Sequence, residues 1–136
     1  MTAVQTEQIT RGYRPEPTVL EVTSIEETVT DAYAVILNVD LKDFPETKLV
    51  MITNTHASYS LKYSVYGTLM EDPADYDWVT LVGSGGATAE QTVAAETSDY
   101  QSTTLAWRRL RVDVKNATGG EAAAVRVILR SVLKTR

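Results

Sequence analysis

Few residues in this chain have the types and spacing that do chemistry. Four carboxylates crowd the stretch Glu71-Asp72-Pro73-Ala74-Asp75-Tyr76-Asp77, and hard oxygen donors on a turn are what calcium takes. The stretch lacks the glycine that turns a calcium loop sharply, so a solvated acidic turn is the stronger reading and no metal site is assigned. Gly83-Ser84-Gly85-Gly86 looks at first like a phosphate cradle, but no Lys-Ser/Thr pair follows it and no strand-to-helix junction frames it. It reads as a loop. The one histidine, His56, and the absence of cysteine remove thiolate chemistry, disulfides and most metal sites. No serine sits in a nucleophile-elbow pattern, and a triad needs both a fixed nucleophile and an oxyanion hole. The chain is therefore read as a non-enzyme without a cofactor. Asn116-Ala117-Thr118 matches a glycosylation acceptor, yet Asn116 to Gly120 is also what a tight turn wants, and the turn reading is preferred.

Binding chemistry is better represented. Tyr59, Tyr63, Tyr66, Tyr76, Tyr100, Trp78 and Trp107 supply rings that stack on sugars or pack a core. Tyr66 and Trp107 are the two candidates for a sugar platform, Tyr66 because its neighbours on that side of the strand are polar. Charge is distributed unevenly. Residues 1–107 hold 5 Lys/Arg against 16 Asp/Glu, a balance of −11, whereas residues 108–136 hold 8 against 2, or +6, which together make the net −5. An acidic whole argues against nucleic-acid binding, which needs a basic surface. The basic tail suits docking on an acidic partner or head-to-tail self-association.

These residues must be positioned by strands. At 136 residues and 43% hydrophobic content the chain fits one domain with a real core. No apolar run approaches the roughly 20 residues of a membrane span, and the N-terminus lacks the basic and apolar regions of a signal peptide, which points away from classical export. Residues 1–17 form a polar, Pro-punctuated arm and residues 18–136 the folded domain. Strands are expected over Thr18–Ile25, Ala32–Val39, Lys48–Thr55, Tyr59–Leu69, Trp78–Val82 and, more weakly, Glu90–Glu96, with a short helix over Ala87–Ala95 as the alternative there. In Tyr59–Leu69 the residues Leu61, Tyr63, Val65, Gly67 and Leu69 face the core, and Gly67 marks a bulge or a close backbone approach. Thr97–Thr104 is read as a polar loop.

Leu105–Lys115 and Ala122–Leu133, joined by Asn116–Gly120, form the best hairpin candidate. Pairing them puts Arg109, Arg111, Arg126 and Arg130 on one outward face, a candidate partner-binding surface. Eight short strands without intervening helices specify an all-β, antiparallel β-sandwich, jelly-roll-like, with an immunoglobulin-like sandwich as the rival. A polar arm frays unless contacts offset about 1 kcal/mol per residue of backbone entropy. Those contacts come from the arm's own domain or from a neighbouring subunit, with Arg11, Tyr13 and Arg14 as anchors.

The polar arm, Leu49-Val-Met-Ile-Thr-Asn-Thr followed by Tyr63-Ser-Val-Tyr-Gly, the Trp78-Val-Thr-Leu strand, and the closing Leu110-Arg-Val-Asp-Val and Ala124-Val-Arg-Val-Ile resemble small β-sandwich virion proteins of tailed bacteriophages, of the head decoration or cement type. The resemblance implies a structural protein on the capsid surface, assembled in the host cytoplasm, that bridges adjacent copies of the major capsid protein and is often a homo-oligomer, typically a trimer. It transfers no functional residue. A carbohydrate- or receptor-binding module of a tail or fibre, and a neck or connector component, are the alternatives.

Overall fold

The computed structural model describes residues 5–11, 18–41, 44–82 and 90–133. Tyr13, Arg14 and the glycines of the 83–86 loop lie outside the described residues. The strands are β1 Gln5–Thr10, β2 Thr18–Ser24, β3 Glu27–Thr28, β4 Ala34–Asp40, β5 Lys48–Asn54, β6 Leu61–Thr68, β7 Val79–Val82, β8 Gln91–Val93, β9 Ser98–Thr103, β10 Arg109–Asn116 and β11 Ala124–Leu133, with one 3-10 turn at Asp75–Asp77.

All described pairings are antiparallel. One sheet runs β1-β2-β11-β5-β9, with β3 also on β11; the other runs β4-β10-β6-β7, with β8 also on β6. If β2–β3 and β7–β8 each count as one strand and β1 is set aside, the spatial orders are first-eighth-third-sixth and second-seventh-fourth-fifth. That is the jelly-roll order, and it excludes the immunoglobulin-like alternative. The inward side chains of the two sheets close on one core. Leu20, Ile52, Val127 and Leu129 on one side and Leu37, Tyr63, Leu110 and Val112 on the other are fully or almost fully buried.

Period-two patterning places most of these strands because each has one apolar face. In β4 the register slips between Val112 and Asp113 of β10, so Ile36 is an extra residue between paired Val35 and Leu37. This bulge turns both Ile36 and Leu37 into the core. Gly67 is a close approach: a Cβ there would stand 2.6 Å from Cδ2 of Trp107.

The expected hairpin does not form. β10 lies between β4 and β6 in one sheet, whereas β11 lies between β2 and β5 in the other. Both strands bury one apolar face, and each finds better cover in the middle of its own sheet than beside the other at an edge. Asn116 turns the chain across the end of the sandwich. Its amide nitrogen donates to Oδ1 of Asp31 at 3.0 Å and to the carbonyl of Glu121, and its Oδ1 accepts from the Ala123 N–H at 3.1 Å. The Asp31 carboxylate also accepts from the N–H of Gly120, which adopts φ +83°, a conformation that glycine takes without strain. Two further expectations fail locally. Ser98–Thr103 is a strand, β9, on the free edge of β5, and Leu69 is exposed beyond the end of β6.

Over residues 5–10 the arm docks on its own domain, as β1 along the edge of β2 in unbroken register from Gln5↔Ser24 to Thr10↔Val19. Gln5 then reaches across to the other sheet. Its Nε2 donates to the Asn38 carbonyl at 3.0 Å and its Oε1 accepts the Asn38 N–H at 3.1 Å, so one side-chain amide pairs with the open edge of β4 as a strand residue would.

Candidate binding faces

The four arginines expected together are split between the two outer faces of the sandwich. Arg109 and Arg111 project from β10 on the five-stranded sheet; Arg126 and Arg130 project from β11 on the six-stranded sheet. Arg11 is exposed just beyond β1.

On the five-stranded sheet the cations are neutralised internally. The guanidinium of Arg111 lies over the rings of Tyr66, at 4.5 Å, and Trp78, at 4.7 Å, while its Nε donates to Oδ1 of Asp113 at 2.9 Å. Arg109 donates from Nε to Oδ1 of Asn38 at 3.0 Å, and Arg108 grips Asp40 with two nitrogens and meets Glu71 at 3.2 Å. Burial holds the Asp113 carboxyl above the usual carboxylate range, with the Arg111 charge pulling the other way. Further along, Lys115 lies 4.8 Å from the centre of the Tyr33 ring and 3.5 Å from Glu90. Burial pushes the Tyr33 hydroxyl up to about 12.

The six-stranded sheet carries a different face. Register aligns Thr23, Ile128, Met51 and Tyr100 in one row across four strands, and Glu21, Arg130, Leu49 and Ser102 in the next. Leu49, Met51 and Tyr100 are 48%, 37% and 68% exposed. Arg126 and Arg130 flank this band, both exposed, and among the described residues neither takes part in an ion pair. An apolar strip with an aromatic and two uncommitted arginines has the composition of an interface core and its rim.

The sugar pair Tyr66 and Trp107 is not brought together. Tyr66 faces outward from β6, and one face of its ring is covered by Arg111. Trp107 lies on the inward side of Gly67, with Nε1 donating to Oγ1 of Thr103 at 3.1 Å. The ring that shares the outer face with Tyr66 is Trp78. Sequence reasoning grouped it with the aromatics but had no signal that β6, β10 and the segment leading into β7 would gather it with Arg111.

The remaining chemically suggestive residues have structural partners. His56 stacks on Tyr59 with centroids 4.6 Å apart, and its Nδ1 accepts the N–H groups of Ser58 and Tyr59. In the acidic turn Asp77 accepts the Ala74 N–H at 2.8 Å, and among the described residues no three His, Cys, Asp or Glu side chains stand together as a metal site. Lys48, an unforeseen buried cation, donates to the Leu105 carbonyl at 2.7 Å, and burial lowers its pKa. Between the sheets, Val50, Val65, Leu81, Leu110 and the β9 residues Gln101 and Thr103 line a cavity of about 280 Å³. Tyr63 reaches the same edge, donating to Asp99 at 2.5 Å and accepting from Gln101 at 2.9 Å. No described helix is long and apolar enough to cross a membrane.

No protein-family model and no curated protein matches the chain. Solved structures do. The crystal structure of PirA is similar with a TM-score of 0.51 and 15% identity, over 77% of this chain and 90% of that one. A chain from the disulfide-linked pili of Bacillus endospore appendages gives 0.48 and 11%, over 93% and 99%. A chain of the infectious bursal disease virus Gx strain gives 0.42 and 7%, over 88% of this chain but 32% of that one. At such identities the likeness to PirA shows a shared fold: this chain is a β-sandwich.

Proposed function

We propose that this chain is a non-enzymatic structural module that docks onto a protein surface through the outer face of its six-stranded sheet. The finer reading is a head decoration, or cement, protein of a tailed bacteriophage, set on the capsid surface with the major capsid protein as its partner and with trimeric assembly as the resemblance implies. One observation carries the docking face: the exposed Leu49, Met51 and Tyr100 strip beside Ile128, rimmed by Arg126 and Arg130. An apolar centre supplies affinity by excluding water, and the two arginines select an acidic rim on the partner. On a repeated lattice, modest single contacts add through multivalency.

Two measurements test this. Quantitative mass spectrometry of particles purified from a producing culture should find the chain at copy numbers comparable with the major capsid protein. Sedimentation with particles lacking the chain should then show that Met51→Glu remains folded but no longer binds, and that Arg126→Glu with Arg130→Glu binds more weakly and with less dependence on salt. A few copies per particle point instead to neck, tail or fibre. Undiminished binding by Met51→Glu removes this face from the interface.

A further inference from the structure

The opposite face of the sandwich holds a separate feature that the docking reading does not use. On the outside of the five-stranded sheet is an open hollow of about 440 Å³, with Trp78, Val35 and Pro73 as apolar lining and Arg109, Arg111, Asn38, Glu71 and Asp72 as polar lining. Its size falls in the roughly 300–1,000 Å³ range of small-ligand clefts.

Three properties narrow the ligand. The lining charges cancel, two guanidiniums against two carboxylates, so neither an anion nor a cation is drawn in by net charge. The lining holds both donors and acceptors: guanidinium N–H groups only donate, carboxylates only accept, and the Asn38 amide does both. A ligand that satisfies such a rim must carry groups that both donate and accept, as hydroxyls do. The third property is the indole of Trp78: Arg111 lies over one of its faces, and the ring surface left beside it is what the C–H face of a sugar ring packs on.

The polar groups other than Asp72 are also tied before any ligand arrives. Arg111 is pinned by two rings and by Asp113. Arg109 is fixed through Nε to Asn38, and its Nη1 stands 3.8 Å from Asp40; the backbone of Asn38 is itself held by Gln5. Glu71 is tied to Arg108, which Asp40 anchors. Each tie occupies part of a side chain's hydrogen-bonding capacity and leaves the rest for a ligand, at little further loss of side-chain entropy.

We propose that this hollow is a saccharide subsite that takes one neutral pyranose unit of a glycan. The sugar ring packs on Trp78, and its hydroxyls bridge the guanidiniums of Arg109 and Arg111 and the carboxylates of Glu71 and Asp72. The proposal is independent of docking through the six-stranded sheet, because the two faces share no residue.

The test is a two-dimensional NMR titration of the full chain with cello-, xylo-, malto-, manno- and chitohexaose. The two tryptophans give two indole N–H signals, so the responding ring is read directly. The expected result is a saturable shift of the Trp78 indole and of the Arg109 and Arg111 Nε–H signals with at least one of these probes, with Trp107 unmoved. Arg109→Gln, at a side chain 24% exposed, should weaken that binding at least threefold while the domain stays folded, and Trp78→Ala should weaken it at least tenfold. The proposal is overturned by no saturable shift with any of the five up to about 10 mM. It is equally overturned by a response at Trp107 instead of Trp78, by binding that Arg109→Gln leaves unchanged, or by binding confined to anionic probes such as polygalacturonate.

Discussion

Replacing Gly67 by alanine tests how Trp107 is used. The added Cβ would lie 2.6 Å from Cδ2, 2.9 Å from Cε3 and 3.0 Å from Cε2 of Trp107, whereas carbon atoms rest about 3.5–4.0 Å apart. The ring must therefore retreat by about 1 Å, and neither side is free to yield. Gly67 is paired on both flanks, with Leu110 and Val79, and Trp107 is tethered through Nε1 to Thr103. Overpacking of this kind costs about 1–3 kcal/mol, and loss of the tether adds about 1 kcal/mol. Alanine's smaller loss of chain freedom returns about 0.5–1 kcal/mol. The net expectation is a destabilisation of about 1–3 kcal/mol, read from urea unfolding, with a fall in Tm of roughly 4–12 °C for a domain of this size. In a Trp107→Leu background the same substitution should be neutral or slightly stabilising, which makes the coupling energy about as large as the single-mutant loss. If Gly67→Ala matches wild type, or loses as much in the Trp107→Leu background, the glycine serves some other purpose and the wedge reasoning is wrong.

Asn116→Ala should cost about 2–4 kcal/mol in urea unfolding, because it leaves the buried Ala123 N–H and the Glu121 carbonyl without their side-chain partner; a loss below about 1 kcal/mol would show that the crossing between sheets does not depend on it. Asp113 has a different signature. Its folded-state pKa is raised by burial, so in the window between the unfolded value and the raised one the folded state binds the proton more tightly, and its ionisation lowers stability as pH rises through that window. The stability of Asp113→Asn relative to wild type, measured by unfolding across pH 3 to 7, should therefore be greatest near neutrality and decline as pH falls through the folded pKa; a difference that widens on acidification contradicts this.

The parts of the fold that were legible in the sequence are those where a strand buries one face. Leu61, Tyr63 and Val65 alternate with Lys62, Ser64 and Tyr66, and that alone places β6 and its orientation. β9 escaped because Ser98–Thr103 is an edge strand with little to bury; its pairing with β5 is mainly main-chain, supplemented by contacts such as Thr53 with Ser98 at 2.8 Å. The β10–β11 error has another cause. Alternation states that Val112 and Val127 point inward, but two strands facing each other across a core and two strands side by side have the same pattern. The contacts that go with the crossing are long-range, such as that of Asn116 with Asp31, 85 residues earlier in the chain, and contacts at that range leave no mark in local periodicity. The same applies to the binding faces. Arg111, Tyr66 and Trp78 come from three segments, so the hollow they border is a property of the sheet order rather than of any motif. For the arm, docking on its own domain was one of two expectations, and the edge pairing of Gln5–Thr10 follows it; nothing in the polar composition marked those residues as a strand.

The position of β11 bears on how the chain can be made. It is the last of the described strands in chain order, yet it lies in the middle of its sheet, between β2 and β5. While the chain is being synthesised, β2 and β5 must therefore wait with unpaired edges facing a gap one strand wide until residues 124–133 have left the ribosome. Premature termination before residue 124 would not merely trim the sheet. It would remove the strand that joins its two halves, leaving an incomplete product with open edges that invite pairing with other chains. Of the described strands, the one that closes the sandwich is thus the one synthesised after all the others.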